Sequence, residues 1–231
     1  VRQKAFPLPV HPGASQPATP PELDWLRFAD RFRGPEESVR EKQRFYVPWF
    51  GERKRVLDAG CGRGEFLELM RECGVPARGI DSSEHSVALC VSKGLEVERA
   101  DLFEHLASLH DGALDGIFCA QVVEHLPPEK ISELVRLAYQ KLEPGGVIAI
   151  ETPNPECLAI FATHFYLDPT HTRPVPPPLL WFYLEEAGFG RMEVRKLSPA
   201  QESIPGVAAL PAEFREAFFS GLDYAVLGIR L

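Results

Sequence analysis

The chain has 231 residues, with 25 Lys and Arg against 33 Asp and Glu, a formal net charge of −8. That length can bury one sizeable α/β core, and an acidic balance without a basic stripe interleaved with aromatics excludes nucleic acid as the main partner. Five cysteines without a CxxC pair, no signal pattern and no apolar run near the ~20 residues of a spanning helix predict a soluble protein in a reducing, cytoplasmic setting.

Residues 1–21, within FPLPVHPGASQPATPPE and its flank, are too rich in proline and small residues to build a core, so a flexible linker is expected there. Such a linker suits either a tether to a further domain or an ordinary tail. Trp25, Phe28, Ala29 and Phe32 then recur at helical spacing. Gly34 and Pro35 stop that helix and start a second, with Glu36 and Glu37 at its positive end and Val39, Gln43, Tyr46 and Phe50 along one side. Residues 22–54 are expected to form a helical lid on a domain that runs over 22–231.

From Arg55 the pattern alternates. Short apolar strands in RVLDA, ARGID, LEVERAD, LDGIFCA and GVIAIET are separated by helical segments at 65–73, 85–92 and 129–142. Gly145 and Gly146 are expected to end the last of these and begin the fifth strand. Beyond Thr152 a proline-heavy stretch reads as a lid or acceptor loop. A helix at 179–187 and strands in RMEVRKL and DYAVLGIRL follow. The expected fold is α/β: a doubly wound, Rossmann-like, mostly parallel sheet of seven strands with helices on both faces and N-terminal helices. Residues 55–152 would form its cofactor-binding core, and 153–231 the acceptor loop and last strands.

The most informative stretch is VLDAGCGRGEF, residues 56–66. Glycines at the end of a first strand let a ligand approach bare backbone. Their GxGxG spacing departs from the GxGxxG of dinucleotide enzymes. Asp58 and Glu65 beside them would repel a pyrophosphate but attract a ligand with ammonium and sulfonium groups, which describes S-adenosylmethionine. Asp81, 23 positions after Asp58, is placed to accept ribose hydroxyls. Asp101 ends the third strand, where it would receive an adenine amino group with Leu102 beside the ring.

VLDAGCGRGEF, GIDSSEHSV, ADLFEHL, VVEHLPP and LEPGGVIAIETPNP resemble the successive motifs of class I S-adenosylmethionine-dependent methyltransferases, over Arg55 to Pro155. The resemblance implies Gly60, Gly62 and Gln121 near the methionine moiety, Asp81 on the ribose and Asp101 with Leu102 at adenine. Cys61, Glu65, Phe66, Ser82 and Ser83 complete the expected cofactor set, with Arg33 and Arg40 closing over it. Methyl transfer to a neutral hydroxyl needs a base; His125 in VVEHL is the first candidate, and His171 of the loop is the second. No metal is expected, because His164 and His171 lack the one-turn spacing that pairs ligands on a helix.

RFRGPEESVREKQRFYVPWF and FYLDPTHTRPVPPPLLWFYLEEAGF also resemble methyltransferase domains of bacterial surface-polysaccharide (O-antigen type) biosynthesis. This resemblance implies a sugar hydroxyl or terminal phosphate of a glycan as acceptor, and a fused or associated glycosyltransferase or coiled-coil domain. The alternatives are an O-methyltransferase of a small aromatic or quinone-type metabolite, a non-catalytic S-adenosylmethionine-binding module and a nicotinamide oxidoreductase, the last disfavoured by the loop spacing and its acids.

Overall fold

The structure is a computed structural model that describes residues 23–231, so the linker expected at 1–21 lies outside the described residues. Helix α1 (Trp25–Phe32) is capped by the Asp24 side chain, which accepts the Arg27 N–H. After Gly34, α2 (Glu36–Gln43) leads through a tight turn at 44–46 into α3 (Val47–Phe50). Gln43, Tyr46 and Phe50 are buried along one side, as their spacing predicts.

The alternating region follows as β1 (Val56–Ala59), α4 (Glu65–Glu72), β2 (Ala77–Asp81), α5 (Glu84–Ser92), β3 (Val97–Arg99), α6 (Leu102–Ser108), β4 (Leu114–Ala120), α7 (Pro128–Lys141) and β5 (Leu142–Pro153). Then come α8 (Pro177–Ala187), β6 (Phe189–Pro199), the short α9 (Ala200–Ser203) and α10 (Ala212–Phe218), and β7 (Gly221–Arg230). The strands form one seven-stranded sheet in the order β3-β2-β1-β4-β5-β7-β6. β7 runs antiparallel to both of its neighbours, and the β1 to β5 pairings are parallel. The expected mostly parallel α/β sheet is what the chain forms.

β1 and β4 are buried along their whole lengths, and their side chains divide by the two-residue period of a strand. Leu57, Ala59, Ile117, Cys119, Ile148 and Ile150 face one core with α7 and α8. Val56, Phe118, Ala120, Val147 and Ala149 face the other, where Tyr46 and Phe50 cover them.

Three features depart from expectation. Helix α6, between β3 and β4, was absent from the predicted pattern, although Asp101 caps it by accepting the N–H groups of Phe103 and Glu104. Helix α7 stops at Lys141 rather than at the glycines. Pro144 cannot continue a helix, and Gly145, at φ +83°, lies in an irregular start to β5 where the pairing with β4 shifts register. The stretch after β5 is partly ordered into helical turns at 160–164 and 165–167. No helix among the described residues is long and apolar enough to cross a membrane.

Candidate active site

Strand order reverses between β1 and β4, which opens a crevice at their carboxyl ends. A cavity of about 840 Å³ sits there. The glycine loop after β1 forms one wall. Gly60 has φ +82°, and a Cβ on it would lie 2.5 Å from Val122 Cγ2. Gly62, at φ +54°, has only Arg33 Nη1 within reach of such an atom, at 3.7 Å, so its backbone is bare toward the cavity. The loop is tied to β2 by the Gly60 and Cys61 N–H groups, which donate to the Ile80 carbonyl at 2.9 and 3.0 Å.

Asp81 completes the tie. Its Oδ2 accepts the Gly62 N–H at 2.9 Å and its Oδ1 accepts the Ser83 N–H at 2.8 Å. One carboxylate therefore orders both the glycine loop and the start of α5, and each oxygen keeps a lone pair for a ligand. Burial pushes the Asp81 carboxyl above its ordinary value, opposed by those two N–H donors and by Arg33.

The same wall carries Ser82 and Ser83 from the β2 end, Asp101 and Leu102 from the β3 end, and Gln121 from the β4 end. Arg33, at the C-cap of α1, reaches in from above. Gln121 has φ +59°, a conformation uncommon outside glycine. It is held there by its N–H on the Glu151 carbonyl at 2.8 Å and its side-chain amide on Glu151 and Asp223, both at 3.2 Å.

Other expected cofactor residues lie elsewhere. Phe66 stacks on Phe118 with ring centroids 3.9 Å apart, in the core under α4. Cys61 packs with Leu67, Cys90 and Leu95 behind the loop. Glu65 is buried and paired with Arg63 at 2.7 Å, and Arg63 also reaches Asp30. Arg40 joins Glu37, Glu68 and Glu72 in a network between α2 and α4. Asp58 is 3% exposed, and burial, followed by repulsion from Glu65, Cys90 and Asp81, pushes its carboxyl well above the usual range. The pair of free acids expected to flank the ligand is thus one buried acid and one acid already neutralised by an arginine. Of Asp58, Glu65 and Asp81, the one at the cavity wall is Asp81.

On the far side of β4, a short turn at 123–125 brings Glu124 and His125 against the post-β5 segment. His171 Nδ1 lies 2.6 Å from the Phe165 carbonyl, which can only accept, so that nitrogen carries the proton. His125 Nδ1 lies 2.8 Å from Thr170 Oγ1, whose own hydrogen goes to Asp168 at 2.6 Å. In the neutral form each imidazole is therefore left with a bare Nε2 atom. Glu124 is fully buried; its Oε2 accepts from Thr152 at 2.9 Å, while its Oε1 is unpartnered, 4.0 Å from His171 Nε2.

The ligand atoms of Glu124, His125 and His171 lie within 4.8 Å of one another. Acceptors gathered this closely call for a cation among them, either a proton or a divalent metal ion, for which a carboxylate and two imidazoles are suitable donors. Burial pushes the Glu124 carboxyl up to about 8 and, with His171 as a lesser cause, pulls the His125 imidazole down. His125 and His171 lie together, ring centroids 4.7 Å apart, a juxtaposition the spacing did not predict, beside a third group, Glu124, that was not among the candidates. Its signal was an acid beside a histidine in an otherwise apolar run.

Residues 30–193 match a family model described as a methyltransferase domain. The chain is 33% identical over 135 residues to the ubiquinone biosynthesis O-methyltransferase of Pseudomonas entomophila, covering 52% of this chain and 57% of that protein. It is 37% identical over 106 residues to the Bordetella avium protein of the same name, covering 44% and 43%. The chain thus spans about half the length of these curated relatives. Among solved structures, a SAM dependent methyltransferase from Archaeoglobus fulgidus matches with a TM-score of 0.81 at 36% identity, over 89% of this chain and 99% of that one. A Thermotoga maritima structure described as a possible histamine N-methyltransferase has a TM-score of 0.66 at 16% identity, over 90% and 95%, a likeness of fold alone. The glycine loop, the Asp81 tie and this breadth of match lead to one conclusion: the chain belongs to the methyltransferase domain family and is an S-adenosylmethionine-dependent methyltransferase.

Proposed function

We propose that the chain methylates a ring hydroxyl of a small aromatic or quinol-type acceptor. The observation that carries this reading is the pair of bare imidazole nitrogens, His125 and His171, set with Glu124 in the wall of the cavity that also holds the glycine loop. A hydroxyl must lose its proton as it gains the methyl group, and a neutral imidazole is suited to take it. The names of the curated relatives support a ring hydroxyl. So do the apolar side chains that line the cavity, Trp25, Phe28 and Phe32 of α1 with Ile160 and Leu167. The glycan expected from the polysaccharide resemblance has no counterpart among those relatives, and the acids of the cavity disfavour a phosphorylated end.

S-adenosylmethionine supplies an electrophilic methyl on a sulfonium. Gly60 and Gly62 would receive its methionine part, Asp81 its ribose hydroxyls, and Asp101 with Leu102 its adenine. Arg33 and the helices of 25–50 close over it as a lid. His125 or His171 removes the acceptor proton while the oxygen attacks the methyl in line. The bound donor would give up its methyl and leave as the neutral thioether, and the hydroxyl proton would remain on the imidazole. The five free cysteines fit a cytoplasmic location.

The test incubates purified protein and S-adenosylmethionine with a panel of catechols, quinols and sugars, and reads methylated product by mass spectrometry. Product from the phenolic acceptors is expected. Transfer confined to sugars, or cofactor binding without any product, overturns the reading.

A further inference from the structure

The ends of β5 and β7 hold two acids that the transfer mechanism does not use. Glu151 Oε1 and Asp223 Oδ1 share the Gln121 side-chain amide, each at 3.2 Å. Tyr46 donates its hydroxyl hydrogen to Glu151, and Ser198 donates to Asp223. The antiparallel register sets Pro153 opposite Asp223, which brings the acids into one patch although far apart in the chain. Both line the cavity. Among the described residues neither has an ion-pair partner; Arg33 and, for Asp223, Lys42 act on them only through space. Two half-buried carboxylates this close repel each other unless a proton or a positively charged group joins them.

A separate observation points the same way. Gln43, 7% exposed, lines this cavity one turn before Tyr46, and its buried Oε1 has no partner. The cavity wall thus carries acceptor oxygens from three side chains. An ammonium, with three donors and a full charge, satisfies such a set.

We propose that Glu151, Asp223 and Gln43 form a subsite for a protonated amine carried by the aromatic acceptor. This rests on the aromatic reading above and narrows it: the preferred acceptor is a phenol with a cationic arm, and acceptors with a carboxylate or phosphate arm are repelled.

The test compares dihydroxybenzylamine, methylcatechol and dihydroxybenzoate, which share the same ring hydroxyls and differ in an arm that is cationic, neutral or anionic at neutral pH. The amine is expected to exceed methylcatechol in kcat/KM by about tenfold to a hundredfold, the range of a charge-assisted hydrogen bond, with the benzoate last. In Glu151→Gln and Asp223→Asn the amine-to-methylcatechol ratio is expected to fall to within about threefold of one, a change of selectivity that loss of folding does not mimic. Acceptor titration into the protein saturated with S-adenosylhomocysteine should show the same ranking in Kd. Methylation of all three without preference, or a preference that survives both substitutions, refutes the subsite while leaving the aromatic reading in place. Failure to methylate or bind any of them removes both.

Discussion

Replacing Asp81 by Asn changes one atom and should disable the cofactor site. In the parent, Oδ1 accepts the Ser83 N–H at 2.8 Å and Oδ2 the Gly62 N–H at 2.9 Å. An amide keeps one acceptor oxygen and offers an NH₂ where the other stood. Whichever way it turns, a donor faces a backbone donor. The loss of one backbone hydrogen bond is worth about 1 kcal/mol, and the loss of a charged acceptor for the ribose about 1.5 to 3 kcal/mol. Together these give about 2.5 to 4 kcal/mol, or about sixtyfold to seven hundredfold in Kd. Calorimetric titration of S-adenosylhomocysteine at neutral pH measures this, with a thermal melt to establish folding. Asp81→Ala leaves the same N–H groups without a partner but sets no donor against them, so Asn should bind no better than Ala. Affinity of the Asn variant within about threefold of the parent refutes both the ribose assignment and the tie between loop and helix. Because burial lifts the Asp81 carboxyl above its ordinary value, cofactor affinity should also fall, as pH is lowered, sooner than an exposed acid would allow.

Glu124, lifted to about 8, holds a proton in the native state that the unfolded chain has released, so stability should decline as pH rises from about 5 to 8, by up to about 4 kcal/mol. Glu124→Gln should flatten that slope in melts across this window, and an unchanged slope refutes the assignment. His125→Ala should spare S-adenosylhomocysteine binding and lower kcat by about 10²- to 10⁴-fold. It should also abolish the acid limb of the parent's rate profile, whose midpoint should lie below the ordinary histidine value because burial favours the neutral ring; superimposable profiles would end that role. Gly60→Ala should cost about 1 to 2 kcal/mol for its positive φ and more for the approach to Val122. Adding Val122→Ala should recover the contact part alone in a double-mutant melt, and full additivity would contradict it.

The cofactor half was the more legible because its determinants are local. A glycine loop that follows a strand, and an acid closing the next strand, keep their meaning wherever the sheet is placed. What failed there was rotation about α4: in its first turn, directly after the loop, Phe66 swings into the core and Glu65 toward Arg63, and motif membership does not reveal which face a residue takes. Helix α6 is only seven residues long, too short for a periodic signal, although its Asp101 cap was in view. The acceptor half depends on pairs that meet through tertiary packing. His125 meets His171 because the post-β5 segment folds back over β4, and Glu151 meets Asp223 through an antiparallel pairing in a mostly parallel sheet. Neither juxtaposition has a spacing that can be read along the chain.

The place of β7 in the sheet bears on how the protein is made. It follows β6 in the chain yet sits between β5 and β6, so on the ribosome the β5 flank, with Val147, Ile148, Ala149 and Ile150, stays uncovered until residues 221–230 emerge. An open apolar edge of that kind invites pairing with other nascent chains. Substitutions that weaken β7 should therefore reduce soluble yield before they affect the methyl donor's pocket.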